Sequence, residues 1–257
     1  MDVRRLFDLT GRVAIVTGGS MGLGMQFARA LAELGANLAL CARKVERCEE
    51  AAGELRRLGV KALALRCDVT NPSEVEQMVS RTLEEFGRID ILVNNAGVSW
   101  GGPLEDLPLE QWNRVMAANT TGAFLCAQAV GRVMIRQKRG KIINLASVAG
   151  LGGSPPEVMD AVVYSASKGA VIAFTRDLAC KWARYHINVN AIAPGWFPTH
   201  MSEWIIEHRK EFLLSHIPLG RFGGEDDLKG AVAFLASDAA NYVTGHVLVV
   251  DGGASAW

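Results

Sequence analysis

Short apolar runs and longer amphipathic stretches alternate along almost the whole chain. Arg12-Val13-Ala14-Ile15-Val16-Thr17 is continuous, rich in β-branched residues and closed by Gly18, the pattern of a strand buried on both faces. From Gly22 the period changes: Leu23, Phe27, Leu31 and Leu34 recur at helical spacing up to Gly35. Asn37–Ala42 predicts a second strand and Val45–Leu58 a charged helix. The same reading places strands at Ala62–Arg66, Ile89–Asn94, Lys141–Ala146, Ile187–Ala193 and Val247–Val250. Helices are predicted over Pro72–Phe86, Leu109–Gln137, Tyr164–Tyr185 and Asp226–Ala236.

Continuous apolar strands separated by helices predict an α/β fold, a parallel sheet covered on both faces. No linker, repeat or low-complexity run interrupts the alternation, so residues 1–257 are expected to form one domain. Turn-rich breaks at Gly101-Gly102-Pro103, Gly150–Pro156 and Pro194–Pro198 follow the fourth to sixth strands. They fall at the carboxyl edge, where open α/β sheets bind ligands. Substrate loops are therefore expected near residues 98–108, 148–163 and 195–222.

Charge narrows the partners. Lys plus Arg and Asp plus Glu balance at 27 each, so no global field recruits nucleic acid or an anionic membrane. A small-molecule substrate fits better. The five cysteines (Cys41, Cys48, Cys67, Cys126, Cys180) are scattered without a C-x-x-C pair, which predicts buried reduced thiols and no metal site. His200, His208 and His216 are spaced by eight residues, which rotates ~80° off one helix face, so they read as surface residues. The segment Met1–Leu6 lacks the apolar core of a signal peptide and no run of eighteen apolar residues exists, so cytoplasm is the expected location.

Two stretches carry candidate chemistry. Thr17-Gly18-Gly19-Ser20-Met21-Gly22-Leu23-Gly24 joins the first strand to the first helix. It departs from G-x-G-x-x-G but has the same mechanics: a tight turn, close backbone approach, and a helix N-terminus offered to a pyrophosphate. About 20 residues beyond such a loop, an acid would bind a ribose 2′-hydroxyl. Here the stretch is Ala42-Arg43-Lys44, and Arg43 could clamp a 2′-phosphate instead, which favours NADP(H) while leaving NAD(H) possible. The second stretch is Tyr164-Ser165-Ala166-Ser167-Lys168. On a helix Tyr164 and Lys168 point the same way, and a nearby ammonium lowers a phenol pKa from ~10 towards usefulness as an acid or base. Taken alone, a helix with one aromatic and one exposed lysine would read the same.

Four separated motifs, in order, settle that ambiguity: Thr17-Gly18-x-x-x-Gly22-x-Gly24, Asn94-Asn95-Ala96-Gly97, Ser147 with Tyr164-x-x-x-Lys168, and Pro194-Gly195. Over essentially its whole length the chain resembles the short-chain dehydrogenase/reductases. The resemblance implies a single-domain, doubly wound Rossmann fold with strand order 3-2-1-4-5-6-7. It also implies hydride transfer between nicotinamide and a ketone or secondary alcohol. Tyr164 would be the acid or base, Lys168 would lower its pKa and hold the nicotinamide ribose, and Ser147 would bond the carbonyl oxygen. Asn119 would hold a water linking Lys168 to solvent. Ser20, Met21, Leu23 and the loop glycines would meet the pyrophosphate, and Asp68 and Val69 the adenine. Asn95, Ala96 and Gly97 would lie beside the ribose and nicotinamide, and Pro194, Gly195, Phe197 and Thr199 would close over the carboxamide.

The substrate is less defined. Trp100, Val148, Leu151, Met159, Trp196, Phe197, Met201 and Trp204 are expected to make an apolar pocket, although Arg209, Lys210 and His208 lie close in sequence. The chain is similar to 3-oxoacyl reductases, including the rhamnolipid-type branch, around Val98-Ser99-Trp100-Gly101 and Ala193–Pro198. The gluconate 5-dehydrogenase-like group is the alternative. A non-catalytic dinucleotide sensor would lack the tyrosine, lysine or serine, and none is missing. Apolar residues on several sides of the two long helices (Phe124, Leu125, Val130; Val171, Phe174, Leu178), and the family's habit, imply a homotetramer with Ala254–Trp257 near a subunit contact.

Overall fold

The structure, a computed structural model, describes residues 2–256. Seven strands form one parallel sheet: β1 (Val13–Thr17), β2 (Asn37–Ala42), β3 (Ala62–Arg66), β4 (Ile91–Asn94), β5 (Gly140–Leu145), β6 (Ile187–Pro194) and β7 (Val247–Val250). Their order is β3-β2-β1-β4-β5-β6-β7, as the family resemblance implies. The chain reverses direction across the sheet between β1 and β4, whose residues Ala14 and Ile91 stand in register.

Alternate strand residues feed two cores. Ala14, Val16, Leu38 and Leu40 face helices α2 (Gly22–Glu33), α3 (Val45–Arg56) and α9 (Lys229–Ala236), through Phe27, Leu31, Leu55 and Val232. Ile15, Ala39 and Leu92 face α4 (Pro72–Phe86), α6 (Gly122–Gln137) and α7 (Val162–Trp182), through Met78, Val130 and Met134. The strands read as unbroken apolar runs because both of their faces are covered.

Three segments depart from the sequence expectation. The helix expected over Leu109–Gln137 is α5 (Leu109–Met116), a widened π turn at Ala117–Thr121, and then α6. A short helix α1 (Val3–Leu6) is capped by the Asp2 carboxylate, which accepts from the Arg4 N–H at 3.0 Å. Within the expected loop 195–222 lies α8 (Glu203–Ser215), which has a single buried residue, Leu213, and a non-helical Arg209 (φ −131°). With almost no core face, α8 leaves little apolar period to read.

His200, His208 and His216 are exposed, as expected. All five thiols are free; four are buried, but Cys180 is exposed, contrary to the uniform burial expected. Val130, Val171 and Leu178 are also buried within the subunit, leaving Phe124 as the exposed large apolar residue of that set. Among the described residues no helix is long and apolar enough to cross a membrane.

Candidate active site

The glycine loop emerges from β1 beside the end of β4. Gly18 and Gly22 hold positive φ (62° and 55°), which side chains with a Cβ resist. A Cβ on Gly24 would overlap the Gly18 carbonyl oxygen, so the loop closes against the start of α2 only with glycine there. Thr17 and Asn95 fix this turn to the neighbouring strand. The Thr17 hydroxyl accepts from the backbone N–H groups of Asn95 and Ala96, both at 3.0 Å, and Asn95 Nδ2 donates to the Thr17 and Gly18 carbonyls at 2.9 and 3.0 Å. Asn95 is thus a brace for the loop.

Met21 is the N-cap of α2, and no side chain bonds the helix's first N–H groups. A backbone approach cleared of Cβ atoms, with uncapped donors at a helix N-terminus, fits a dinucleotide pyrophosphate. Thr199 faces Gly22 across the cleft, its Cγ2 3.7 Å from where a Gly22 Cβ would stand, so the loop after β6 comes over the site. Gly195 donates to the Val250 carbonyl at 3.0 Å, which joins the root of that loop to β7.

Just beyond β2, Arg43 and Lys44 are exposed. Asp68 is half-buried. Burial works against its charge, but the Thr70 N–H and hydroxyl (3.0 and 2.8 Å), with the Arg43 and Arg66 charges, hold its carboxyl below the usual range. Val69 packs where a Cβ on Gly122 would stand.

Tyr164 and Lys168 lie one turn apart on α7, with the Lys168 ammonium 5.6 Å from the centre of the tyrosine ring. Lys168 is buried and donates to the Leu145 carbonyl at 2.6 Å; burial lowers its pKa to about 8. Burial raises the Tyr164 phenol, and the nearby Ser147 hydroxyl pulls it partly back. Ser147 follows β5 and accepts from the Ala149 N–H at 3.2 Å, which fixes its hydroxyl at the start of a 3₁₀ turn.

Asn119 sits in the π turn between α5 and α6, a distortion that recurs at functional sites. Its Oδ1 accepts from the Val98 N–H (2.8 Å), while Nδ2 donates to the Val98 carbonyl and the Ser167 hydroxyl (both 2.9 Å).

Known proteins match this chain in both sequence and fold. A family model described as enoyl-(acyl carrier protein) reductase matches residues 18–255. A 3-oxoacyl-[acyl-carrier-protein] reductase of Synechocystis is 42% identical over 247 residues, 95% of this chain and 97% of that protein. A crystal structure of a short-chain type dehydrogenase/reductase from Mycobacterium marinum superposes with a TM-score of 0.93 at 40% identity, covering 97% of each chain. The chain belongs to the short-chain dehydrogenase/reductase family. It is an oxidoreductase of the class that interconverts carbonyl and CH–OH groups. Also similar is the structure of a gluconate 5-dehydrogenase from Burkholderia cenocepacia in complex with NADP and tartrate. Its TM-score is 0.94 at 38% identity, over 99% of both chains.

Around this dehydrogenase/reductase site the three expected substrate loops touch one another. Gly102 donates its N–H to the Asp160 carbonyl at 2.8 Å. Arg209 donates to the Pro156 carbonyl at 3.2 Å and to that of Glu157, so its guanidinium ties α8 to the loop before α7. The ring of Trp100 lies against Gly102. Met159 and Trp196 are half-buried beside these segments.

Other expected pocket residues fall elsewhere. Phe197 is 5% exposed and packs in the α2–α3–α9 core against Gly223. Trp204 is 63% exposed and stacks on His208, with ring centroids 4.4 Å apart, on the outer surface of α8. Met201 and Leu151 are likewise exposed in this conformation. Sequence reading passed over Ser167, which is fully buried, accepts from Asn119 and donates to the Tyr164 carbonyl at 2.7 Å. Its only signal was position: a second serine on the inner side of the Tyr164–Lys168 turn.

Proposed function

We propose that this protein is an NADP(H)-dependent carbonyl reductase in which Tyr164, Lys168, Ser147 and Asn119 carry the chemistry. One observation supports this most directly: Tyr164, Lys168 and Ser147 converge at the same sheet edge as the uncapped glycine loop. When bound, the nicotinamide supplies or accepts the hydride. Tyr164 gives its proton to the carbonyl oxygen in reduction and removes it from the alcohol in oxidation. The Ser147 hydroxyl bonds the same oxygen and stabilises the charge that develops on it. Lys168, with a pKa of about 8, is mainly an ammonium at pH 7, and its charge opposes the effect of burial on the phenol. Both N–H groups of the Asn119 amide are engaged, so a water linking Lys168 to solvent would have to bond an oxygen of Asn119 and not its amide nitrogen.

The coenzyme reading rests on Arg43 and Lys44 beyond β2 and on the absence of an acid there. The Burkholderia relative's complex with NADP supports it. The substrate is a hydrophobic ketone of the 3-oxoacyl type: Trp100, Met159 and Trp196 offer apolar surface, and the Synechocystis relative is named for that substrate. A sugar-acid substrate is the second reading, favoured by the gluconate 5-dehydrogenase likeness.

The chain acts as one cytoplasmic domain within a homotetramer. Exposed Phe124 on α6, and the partly exposed apolar edge strand β7 with Tyr242 beside it, support the assembly. Assaying 3-oxoacyl thioesters and 5-ketogluconate with NADPH and NADH tests the function. Preferred turnover of the thioester supports the first reading, and preferred turnover of the sugar acid supports the second. Dinucleotide binding without turnover of any ketone would favour a sensor.

A further inference from the structure

Met21 stands in the glycine loop and brings no charge of its own. The structure supplies one from another element. Arg47, in the first turns of α3, places Nη1 3.4 Å from the Met21 sulfur. The next residue of α3 makes the same approach, with the Cys48 thiol near the Ser20 hydroxyl. Two successive α3 residues therefore lie against two successive residues of the glycine loop. A thioether is a weak, polarizable acceptor, so Met21 can steady the guanidinium without neutralising it.

The charge of Arg47 is also left available. Glu49 pairs with Arg56 and Glu54 with Arg29. Among the described residues neither Arg43 nor Arg47 forms an ion pair. The two lie on different sides of the end of β2. Arg43 acts on Asp68, towards β3, whereas Arg47 stands at the glycine loop, towards α2.

We infer that Arg47 is a second determinant of coenzyme specificity, held on Met21 so that it and Arg43 grip a 2′-phosphate from opposite sides. The inference rests on the NADP(H) reading above. A guanidinium presents a planar donor fork to phosphate oxygens, and two forks from two elements leave the group little freedom to turn away.

The test is direct binding without substrate, following dinucleotide fluorescence for NADPH and NADH in the parent, Arg47→Gln, Arg47→Lys and Arg43→Gln. Arg47→Gln should raise the NADPH Kd about 10-fold and move the NADH Kd less than about twofold, which also verifies folding. Arg47→Lys should recover part of the loss, and 2′,5′-ADP should protect the parent against heat more than it protects Arg47→Gln. A parent that prefers NADPH, with the same preference in Arg47→Gln, overturns this inference and leaves the NADP(H) reading standing. A parent that binds both coenzymes equally overturns both.

Discussion

Asn119 and Ser167 are hydrogen-bonded at 2.9 Å, amide to hydroxyl, across the contact between the π turn and α7. Ser167 donates onward to the Tyr164 carbonyl, so the widened turn and α7 are joined through one buried hydroxyl. Ser167→Ala would leave an Asn119 N–H buried and unpaired, at a cost of about 1–3 kcal/mol in stability. The same loss should loosen the turn, lowering kcat several-fold with little change in coenzyme Kd. Denaturant melts and steady-state kinetics check this, and a variant as stable and active as the parent would refute it.

Tyr164→Phe removes the phenol proposed as the proton donor while keeping the ring. Turnover should fall at least ~100-fold, with the fold and coenzyme binding retained. Most of the activity surviving would sink the role assigned to the phenol.

Lys168 makes function and stability oppose each other. Burial lowers its pKa from 10.5 to about 8, so the folded state disfavours the charge. The cost is full below pH 8, shrinks between about 8 and 10.5, and vanishes above. It amounts to roughly 3 kcal/mol before the bond to the Leu145 carbonyl is counted. Lys168→Met should therefore abolish turnover yet raise stability at pH 7 by on the order of 1–3 kcal/mol, the gain fading towards pH 10.5. Melts at pH 7 and pH 10 decide it: a variant less stable than the parent at pH 7 contradicts the argument.

Phe124 is 43% exposed on α6 although large and apolar. If the α6–α7 surface joins subunits, Phe124→Glu should split the assembly, and light scattering should show a smaller species than the parent. A parent that is monomeric at micromolar concentration would overturn the assembly itself.

Local period and short motifs were sufficient for most of the fold. Strands β2, β3 and β7 and helix α4 lie where the sequence places them, because strands covered on both faces and helices with one apolar stripe leave unambiguous patterns. The geometry of the Tyr164–Lys168 pair and of the glycine loop was legible for a related reason: each is set by neighbours in the chain. What the sequence left undecided depends on contacts between distant segments. Asn119 interrupts its helix by bonding Val98, 21 positions away in the chain. Phe197 turns inwards because Gly223 leaves room for its ring, and Trp204 turns outwards because α8 has almost no core face. Arg47 reaches Met21 only because packing brings the start of α3 against the glycine loop, a proximity that no period along one segment encodes.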